Sequence, residues 1–314
     1  MANQIPLLEG TNLAGGFLVP DNFNGLAFNR GINRQSAVLS MPGLRIRRVN
    51  GKREQFTEYV GRPTVATVAE GADKAATGAE YAQVTCDIVK AAGIVLYTEE
   101  LIDDAQEDPT ILINADIREA FADYIDSNAL GRNAAGQIVG SFNSELSETT
   151  QTVELGNTGG DRVAVAVSAA MALVEANGYT PTGVILAWDA RQHFRDARMA
   201  TETTQQVYSD QSGNFVQPSP TLFGLPIGYT TNLQTIAGAA AAGRVVGVVG
   251  DFSQALLAIR NDIRLKFSDQ ATVNVSGTDH RLWQANKVAS LWEMRMGFVA
   301  HDLNRAFAAI TNAA

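Results

Sequence analysis

From Leu44 to Arg132 the apolar and polar positions follow two different rhythms. Leu44-Arg45-Ile46-Arg47 alternates with a period of two. So does the stretch from Tyr81, where Val84, Cys86 and Ile88 fall on one side and Thr85 and Asp87 on the other. Both read as strands, and the second runs on through Ile94, Val95, Leu96 and Tyr97. Between these arms lie residues 61–80, mostly Ala, Gly and Thr. That is far longer than the roughly two- to five-residue connection of an ordinary hairpin. A loop of this kind is either disordered or held by a partner. A ribbon this long and thinly covered cannot bury its own faces, so the pattern predicts a building block that lies on another chain.

The rhythm then becomes helical. Thr98 reads as an N-cap with Glu99 and Glu100 at the positive end of a short helix. Asp108-Pro109 opens the next one, with Pro in the first turn. Ile113, Ile117, Ala120, Phe121, Tyr124 and Ile125 recur at helical spacing, and Gly131 is the stop. The helix from Thr110 to Leu130 spans roughly 30 Å at ~1.5 Å per residue. Asp116, Glu119, Asp123 and Asp126 line up on its other face. Such a stripe is either solvated or covered by a basic element, and the arm bearing Arg45, Arg47, Arg48, Lys52 and Arg53 is the candidate.

Residues 1–42 show no period. Gly15-Gly16 and Pro20 break regular structure, while Phe17, Leu18, Val19, Phe23 and Phe28 are scattered anchors, as in an extended arm. After a turn-rich stretch (Gly140 to Gly160), Val163 to Ala176 reads as a helix ending at Asn177-Gly178. Val184 to Ala187 is a short buried strand, and Asp189 caps a helix through Arg198. Residues 200–220 form a long surface loop. Leu225 to Tyr229, Arg244 to Val249 and Ile263 to Phe267 read as strands, and Phe252 to Ile259 as a helix. In the last strand, Leu291 to Val299, Trp292, Met294, Met296 and Phe298 alternate with Leu291, Glu293, Arg295 and Gly297. No internal repeat is visible, and the mixed order of elements predicts an α+β fold.

Composition adds limits. With 314 residues, 46% hydrophobic and 18% charged, the chain has enough apolar material for one or two folded domains. A formal net charge of -9 argues against a tight nucleic-acid binder, which needs clustered Lys and Arg. The single cysteine, Cys86, excludes an intrachain disulfide and points to folding in a reducing cytosol. No apolar run approaches the ~20 residues that span a bilayer, so no membrane partner is expected. Met1 to Gly16 lacks the basic-then-apolar pattern of a signal peptide, and with Met1 in place nothing is expected to have been removed ahead of it.

Several motifs, in order, resemble the major capsid proteins of tailed double-stranded DNA bacteriophages, which have the HK97-type fold. Gly15-Gly16-Phe17-Leu18-Val19-Pro20 is similar to that family's arm motif, and Glu70-Gly71 sits at its extended-loop tip. Tyr97-Thr98-Glu99-Glu100-Leu101-Ile102-Asp103-Asp104 followed by Asp108 resembles the start of its spine helix, and Asp126, Asn128, Ala129, Leu130 and Gly131 its end. Asn286, Val288, Glu293, Arg295, Gly297, Phe298, Ala306 and Phe307 resemble the closing strand and tail.

The resemblance implies an N-terminal arm (1–42) and an extended β-hairpin loop (43–97). It also implies a peripheral domain (98–176 and 280–300) with its spine helix at 110–131, and an axial domain (177–279 and 301–314). It implies a structural protein, not an enzyme, with no cofactor, metal or catalytic residue. Copies would form pentamers and hexamers of an icosahedral shell enclosing double-stranded DNA, touched by weak non-specific contact that the acidic balance suits. The expected location is the virion, with assembly in the host cytoplasm. Separate scaffolding, portal and decoration proteins are the expected partners, since the short arm leaves no room for a large fused scaffold. In that family the extended loop lies over a neighbouring subunit, so Arg45, Arg47 and Arg48 are expected to pair across subunits with Asp116, Glu119 and Asp123, and Glu70 to touch a neighbour.

One branch of the family joins subunits by isopeptide bonds between a loop lysine and an asparagine, helped by a glutamate. Lys74, Asn286 and Glu293 resemble those positions, and the chemistry requires a neutral amine, an amide and a carboxylate that accepts a proton. His193, His280 and His301 have no metal-ligand spacing. His193 shares its helix with Arg191, Arg195 and Arg198, which suggests an exposed or interface face. Cys86 reads as a buried small residue. Gly243 to Gly250 is a strand and turn rather than a phosphate-binding fingerprint. Two other readings stay open: a nanocompartment shell of the same fold, encapsulin-like and holding an enzyme cargo, and a soluble α/β enzyme using the Gly243–Asp251 turn.

Overall fold

The computed structural model describes residues 36–61, 63–104, 109–131, 140–156, 161–197, 221–236, 244–275 and 277–312. The anchors Phe17, Leu18, Val19, Phe23 and Phe28, together with Asp108, Arg198 and the loop at 200–220, lie outside the described residues. In chain order the elements are β1 (Arg45–Arg48), β2 (Arg53–Gly61), β3 (Glu80–Asp87), β4 (Val89–Thr98), α1 (Glu99–Asp104) and α2 (Pro109–Leu130). Next come β5 (Thr152–Leu155), α3 (Arg162–Ala176), β6 (Gly183–Ala187), α4 (Ala190–Asp196), β7 (Thr221–Leu222), β8 (Leu225–Thr230) and β9 (Val245–Gly250). The last are β10 (Ala255–Ser268), β11 (Thr272–Val275), β12 (Thr278–Arg281), β13 (Lys287–Ala300), α5 (Leu303–Ala306) and β14 (Phe307–Asn312). The order is α+β, as the sequence predicts.

The chain forms two units, one of residues 1–36, 90–125 and 261–296, the other of residues 37–89, 126–260 and 297–314. In the larger unit, six strands run in the order β5-β14-β9-β6-β8-β7. β9 (VVGVVG) and β6 (GVILA) are buried along their whole length, which is why they read as continuous apolar runs rather than as alternation. They pair antiparallel, Val184 opposite Val249 and Ile185 opposite Val248. β14 pairs antiparallel with β9 and parallel with β5.

Helix α3 lays Val163, Ala166, Val167, Ala170 and Val174 into a core shared with Leu186, Val246, Val249, Ala308 and Ile310. α3, expected in the peripheral part, therefore packs with the strands expected in the axial part. Asp161 caps its first turn, accepting from the Ala164 amide at 3.3 Å. Its end closes through Gly178 N–H to Glu175 O (2.9 Å) and Tyr179 N–H to Val174 O (3.3 Å). Phe252 meets Phe307 edge-on at 5.5 Å between ring centres, a contact worth about 0.5–1.5 kcal/mol beyond burial.

In the smaller unit, β11 and β12 form an antiparallel hairpin, with Thr272 opposite Arg281. Leu96, Leu282 and Ala289 make its core, with Ala271, Val273 and Val275 against them. Thr98 caps α1 as expected, its Oγ1 accepting from the Leu101 amide at 3.3 Å. α2 buries Ile117, Phe121 and Ile125, whereas Ala120 faces solvent. Gly131 stops α2 with φ +75.

Three expectations need correction. β1 is not an arm of the hairpin: it pairs in parallel with β10, Arg45 opposite Leu256. The hairpin is β2 with β3, from Arg53 opposite Asp87 to Gly61 opposite Glu80. Phe252 to Ile259 is not a helix. Asp251 caps one 3-10 turn, accepting from the Ser253 amide at 3.0 Å, and the chain then extends as β10. A short apolar run suits helix and strand alike, and the parallel partner β1 decides it. Asp126 is not part of a solvated stripe. It is buried and accepts from the amides of Ala37 (2.8 Å) and Val38 (3.2 Å), which fixes the turn ahead of β1.

Gly297 on β13 lies where β3 ends. A Cβ there would meet the Asp87 carbonyl oxygen and, at 2.9 Å, the Cys86 sulfur. Gly297→Ala is expected to lower the urea-unfolding stability of the full chain by about 1–3 kcal/mol, the usual cost of overpacking. Gly78→Ala, whose Cβ would meet nothing, is expected to be neutral or slightly stabilising.

Candidate functional site

The β2–β3 ribbon rests on a small root. Val49, Cys86, Ile88, Ala258 and Val299 form its core, with Phe56, Val84 and Leu256 packed against them. The Ile88 amide donates to Lys52 O at 2.9 Å, closing the base of the hairpin. On the outer side, Arg53 Nε donates to Asp87 Oδ1 at 2.5 Å. Asn143 grips the same residue twice: its Nδ2 donates to Asp87 Oδ2 at 3.1 Å, and its Oδ1 accepts from the Asp87 amide at 2.6 Å. The hydrogen bond from Arg53, and then that from Asn143, hold the Asp87 carboxyl below the usual aspartate range. Burial, followed by the charges of Asp87 and Glu54, pushes the Cys86 thiol up to about 11, so it stays a thiol and an unreactive one.

Away from the root the ribbon loses its cover. Gln83 Nε2 bonds Gln55 Oε1 across the strands at 2.8 Å, but the first four residues of β3 are exposed, with Tyr81 at 66%. Residues 63–79 are exposed throughout, and Val65 reaches 98%. Glu70 and Lys74 lie in this exposed stretch, Glu70 just before Gly71, whose φ is +80.

Beside the root, β1 is exposed along all four residues, Arg45, Ile46, Arg47 and Arg48. The Arg47 guanidinium stands 5.3 Å from the centre of the Phe56 ring. An open cavity of about 660 Å³ lies here, lined by Arg45, Arg47, Ile46, Phe56, Leu256 and His301 among others, with no carboxylate in its lining. β1 thus presents a basic face with an apolar floor. On α2, Asp116 is exposed and Glu119 and Asp123 are half-buried. The arginines belong to the larger unit and these carboxylates to the smaller.

Asn286 is exposed and left-handed (φ 46), and its carbonyl accepts from the Glu99 amide at 2.9 Å. Glu293 on β13 is held by Lys90 (3.2 Å) and Arg295 (3.1 Å), and its carboxyl lies below the usual glutamate range, chiefly through the Lys90 hydrogen bond. A carboxylate occupied by two cations is a poor acceptor for an amine's proton. Among the described residues no group of three or more His, Cys, Asp or Glu is arranged to hold a metal, and no helix is long and apolar enough to cross a membrane. His193 is half-buried rather than on an open face.

Sequence reasoning missed Asn143, and it placed Gly297 in the closing strand without giving it a role at the ribbon's root. Asn143 sits in a polar, turn-rich stretch where an asparagine carries no signal of its own. Gly297 interrupts a strand at a buried position, which is the mark of a close backbone approach.

The model of the Phage capsid family matches residues 15–311. No curated protein matches the chain. Among solved structures, a chain of Microbacterium phage Oxtober96 superposes with TM-score 0.74 at 17% identity, covering 95% of this chain and 98% of that one. A chain of Gordonia phage Cozz gives 0.73 at 19%, with 100% and 99% covered. A capsid chain of a native GTA particle gives 0.65 at 18%, with 98% and 100% covered. At such identities the likeness is one of fold.

Two outcomes follow from the root and the Glu293 pairings. The depressed Asp87 carboxyl adds stability that is present above its ordinary value of 3.8 and lost as pH falls through its lower folded value. The gap in urea midpoint between the native chain and Asp87→Asn is therefore expected at pH 7 and should close in acid. Assembled material boiled in denaturant is expected to run as a single monomer band, whereas a ladder would assign Lys74 and Asn286 a covalent role.

Proposed function

The chain belongs to the phage capsid family, and we propose that it is the major capsid protein, closing as pentamers and hexamers into an icosahedral shell around double-stranded DNA. The observation that carries this reading is the ribbon: residues 63–79 and the outer half of β3 are exposed on their own chain, so their burial has to come from another. Its role is structural rather than catalytic, and its place is the virion. Subunits fold in the reducing host cytoplasm, in keeping with the lone buried thiol. The DNA is touched weakly and without sequence preference, and scaffolding, portal and decoration proteins act as separate chains.

In this reading residues 1–42 are the arm and 43–97 the extended loop. Residues 98–176 and 280–300 form the peripheral part, and 177–279 and 301–314 the axial part. The loop, with Glu70 at its tip, lies over a neighbouring subunit. Arg45, Arg47 and Arg48 of one copy face Asp116, Glu119 and Asp123 of the next. The three arginines stand on an exposed strand beside a cavity free of carboxylates, and on α2 Asp116 is exposed with Glu119 and Asp123 half-buried, so the two surfaces are complementary in charge. Exposed pairs are worth about 0–1 kcal/mol each, but a shell repeats them in every subunit.

Negative-stain microscopy of the purified full chain is expected to show closed shells. A stable monomer, with the ribbon resistant to protease, overturns the reading. Replacing Arg45, Arg47 and Arg48 together by Glu is expected to abolish shells at low salt. Normal shells from that variant refute the pairing and leave the capsid assignment standing.

A further inference from the structure

Three Asn-Gly pairs occur in the chain, at Asn24, Asn50 and Asn177. In such a pair the glycine nitrogen can close a five-membered ring on the asparagine side-chain carbon, because no Cβ stands in the way. Asn24 lies outside the described residues, and the other two pairs are held in opposite ways.

Asn50 and Gly51 lie in the link between β1 and β2. Asn50 is exposed, and no described residue hydrogen-bonds its side-chain amide. The Gly51 amide donates to Glu54 Oε1 at 3.3 Å, and Glu54 is half-buried at the start of β2. A Cβ on Gly51 would meet the Arg53 carbonyl oxygen at 2.9 Å and the same Glu54 oxygen at 3.3 Å, so glycine is what lets the turn bring amide and carboxylate together.

Asn177 is locked instead. It ends α3 with φ -86 and ψ 0. Its Nδ2 donates to Leu173 O at 3.0 Å and to Arg305 O at 3.4 Å. The Gly178 amide donates to Glu175 O at 2.9 Å, a backbone carbonyl that cannot take a proton at neutral pH. Ring closure there would break all three bonds.

We infer that Asn50-Gly51 is a self-modifying site, at which Glu54 draws the proton from the Gly51 amide while the Asn50 side chain cyclises and sheds ammonia. The Gly51 nitrogen forms a bond to Asn50 Cγ, and its proton passes to Glu54 Oε1. The Cγ–Nδ2 bond breaks, and Nδ2 leaves as ammonia with the proton that Glu54 returns. The Glu54 bond lies in the peptide plane, whereas the nitrogen attacks perpendicular to it, so the base does not obstruct the closure. Water then opens the ring. Attack at Cγ leaves aspartate. Attack at the main-chain carbonyl leaves isoaspartate, in which the chain runs through Cβ and Cγ.

Either product places a new carboxylate between Arg48 and Lys52, beside the basic face of β1. Isoaspartate also adds one carbon to the main chain. The link is pinned on both sides, by the Val49 amide on Ile259 O (3.0 Å) and by the Ile88 amide on Lys52 O (2.9 Å). The added length is therefore taken up at the base of the ribbon. The chemistry needs only the folded chain and water, and does not depend on the capsid reading.

The test keeps the full chain in neutral buffer at body temperature for weeks and maps each Asn-Gly peptide by mass spectrometry. Conversion is read as the mass gained when an amide becomes an acid, and isoaspartate by enzymatic methylation of its carboxyl. The Asn50 peptide is expected to convert about tenfold or more faster than the Asn177 peptide. In Glu54→Gln, which keeps an acceptor without a base, conversion at Asn50 is expected to fall by about tenfold or more, with Asn177 unchanged. Unfolding the native chain in urea is expected to slow Asn50 and speed Asn177, bringing the two rates together. If Glu54→Gln itself unfolds, Asn177 speeds up in that variant and the urea comparison decides. Equal rates in the folded chain, an undiminished rate at Asn50 in folded Glu54→Gln, or a faster rate at Asn50 in urea overturns the site.

Discussion

Two strands paired only with each other have two faces and nothing of their own to cover them. That constraint governs the rest of the molecule. β2 and β3 bond to each other along their length, but among the described residues their side chains find cover only at the base. Apolar area left in water forfeits roughly 25 cal/mol per Å², so a chain that exposes Val65 and Tyr81 keeps favourable energy in reserve for association. Membership of the phage capsid family supplies a setting in which copies of a chain assemble into one shell.

A ribbon so little covered by its own chain can reach another only if it leaves the body in a defined direction. The root provides this with few parts. Gly297 lets β13 pass within backbone contact of the Cys86–Asp87 bend, and Asn143 holds Asp87 by side chain and amide together. Arg53 completes the grip from the other strand. Gly297 and Asn143 are small, so little side-chain freedom is lost in their share of the grip. The basic strand β1 lies beside this root, on the parallel partner β10.

Much of this could be read in the residues. Short, wholly nonpolar runs marked β6 and β9, the cap and proline signals placed α1 and α2, and the alternation from Trp292 to Phe298 described β13 correctly. The long connection at 61–80 gave away the ribbon. What escaped was tertiary. A parallel partner turned Ala255–Ile259 into strand, and that partner is some 210 residues away in the chain. Two backbone amides drew Asp126 inward from a stripe that periodicity alone would leave in water. His193 looked like one polar residue among arginines. Only the placement of Ile236 and Arg162 revealed that its ring meets a backbone carbonyl and a guanidinium. Local propensity reports what a segment can do, and its neighbours in space decide among the possibilities.

The second strand in the order of the six-stranded sheet is also its last in the chain. β14 fills the gap between β5 and β9, bringing Ala308 and Ile310 into the core of α3. While a ribosome is still making residues before Phe307, β5 has no partner in that sheet and one edge of β9 lies open. Translation therefore delays the closing of this sheet until Phe307 to Asn312 have been made and have left the ribosome.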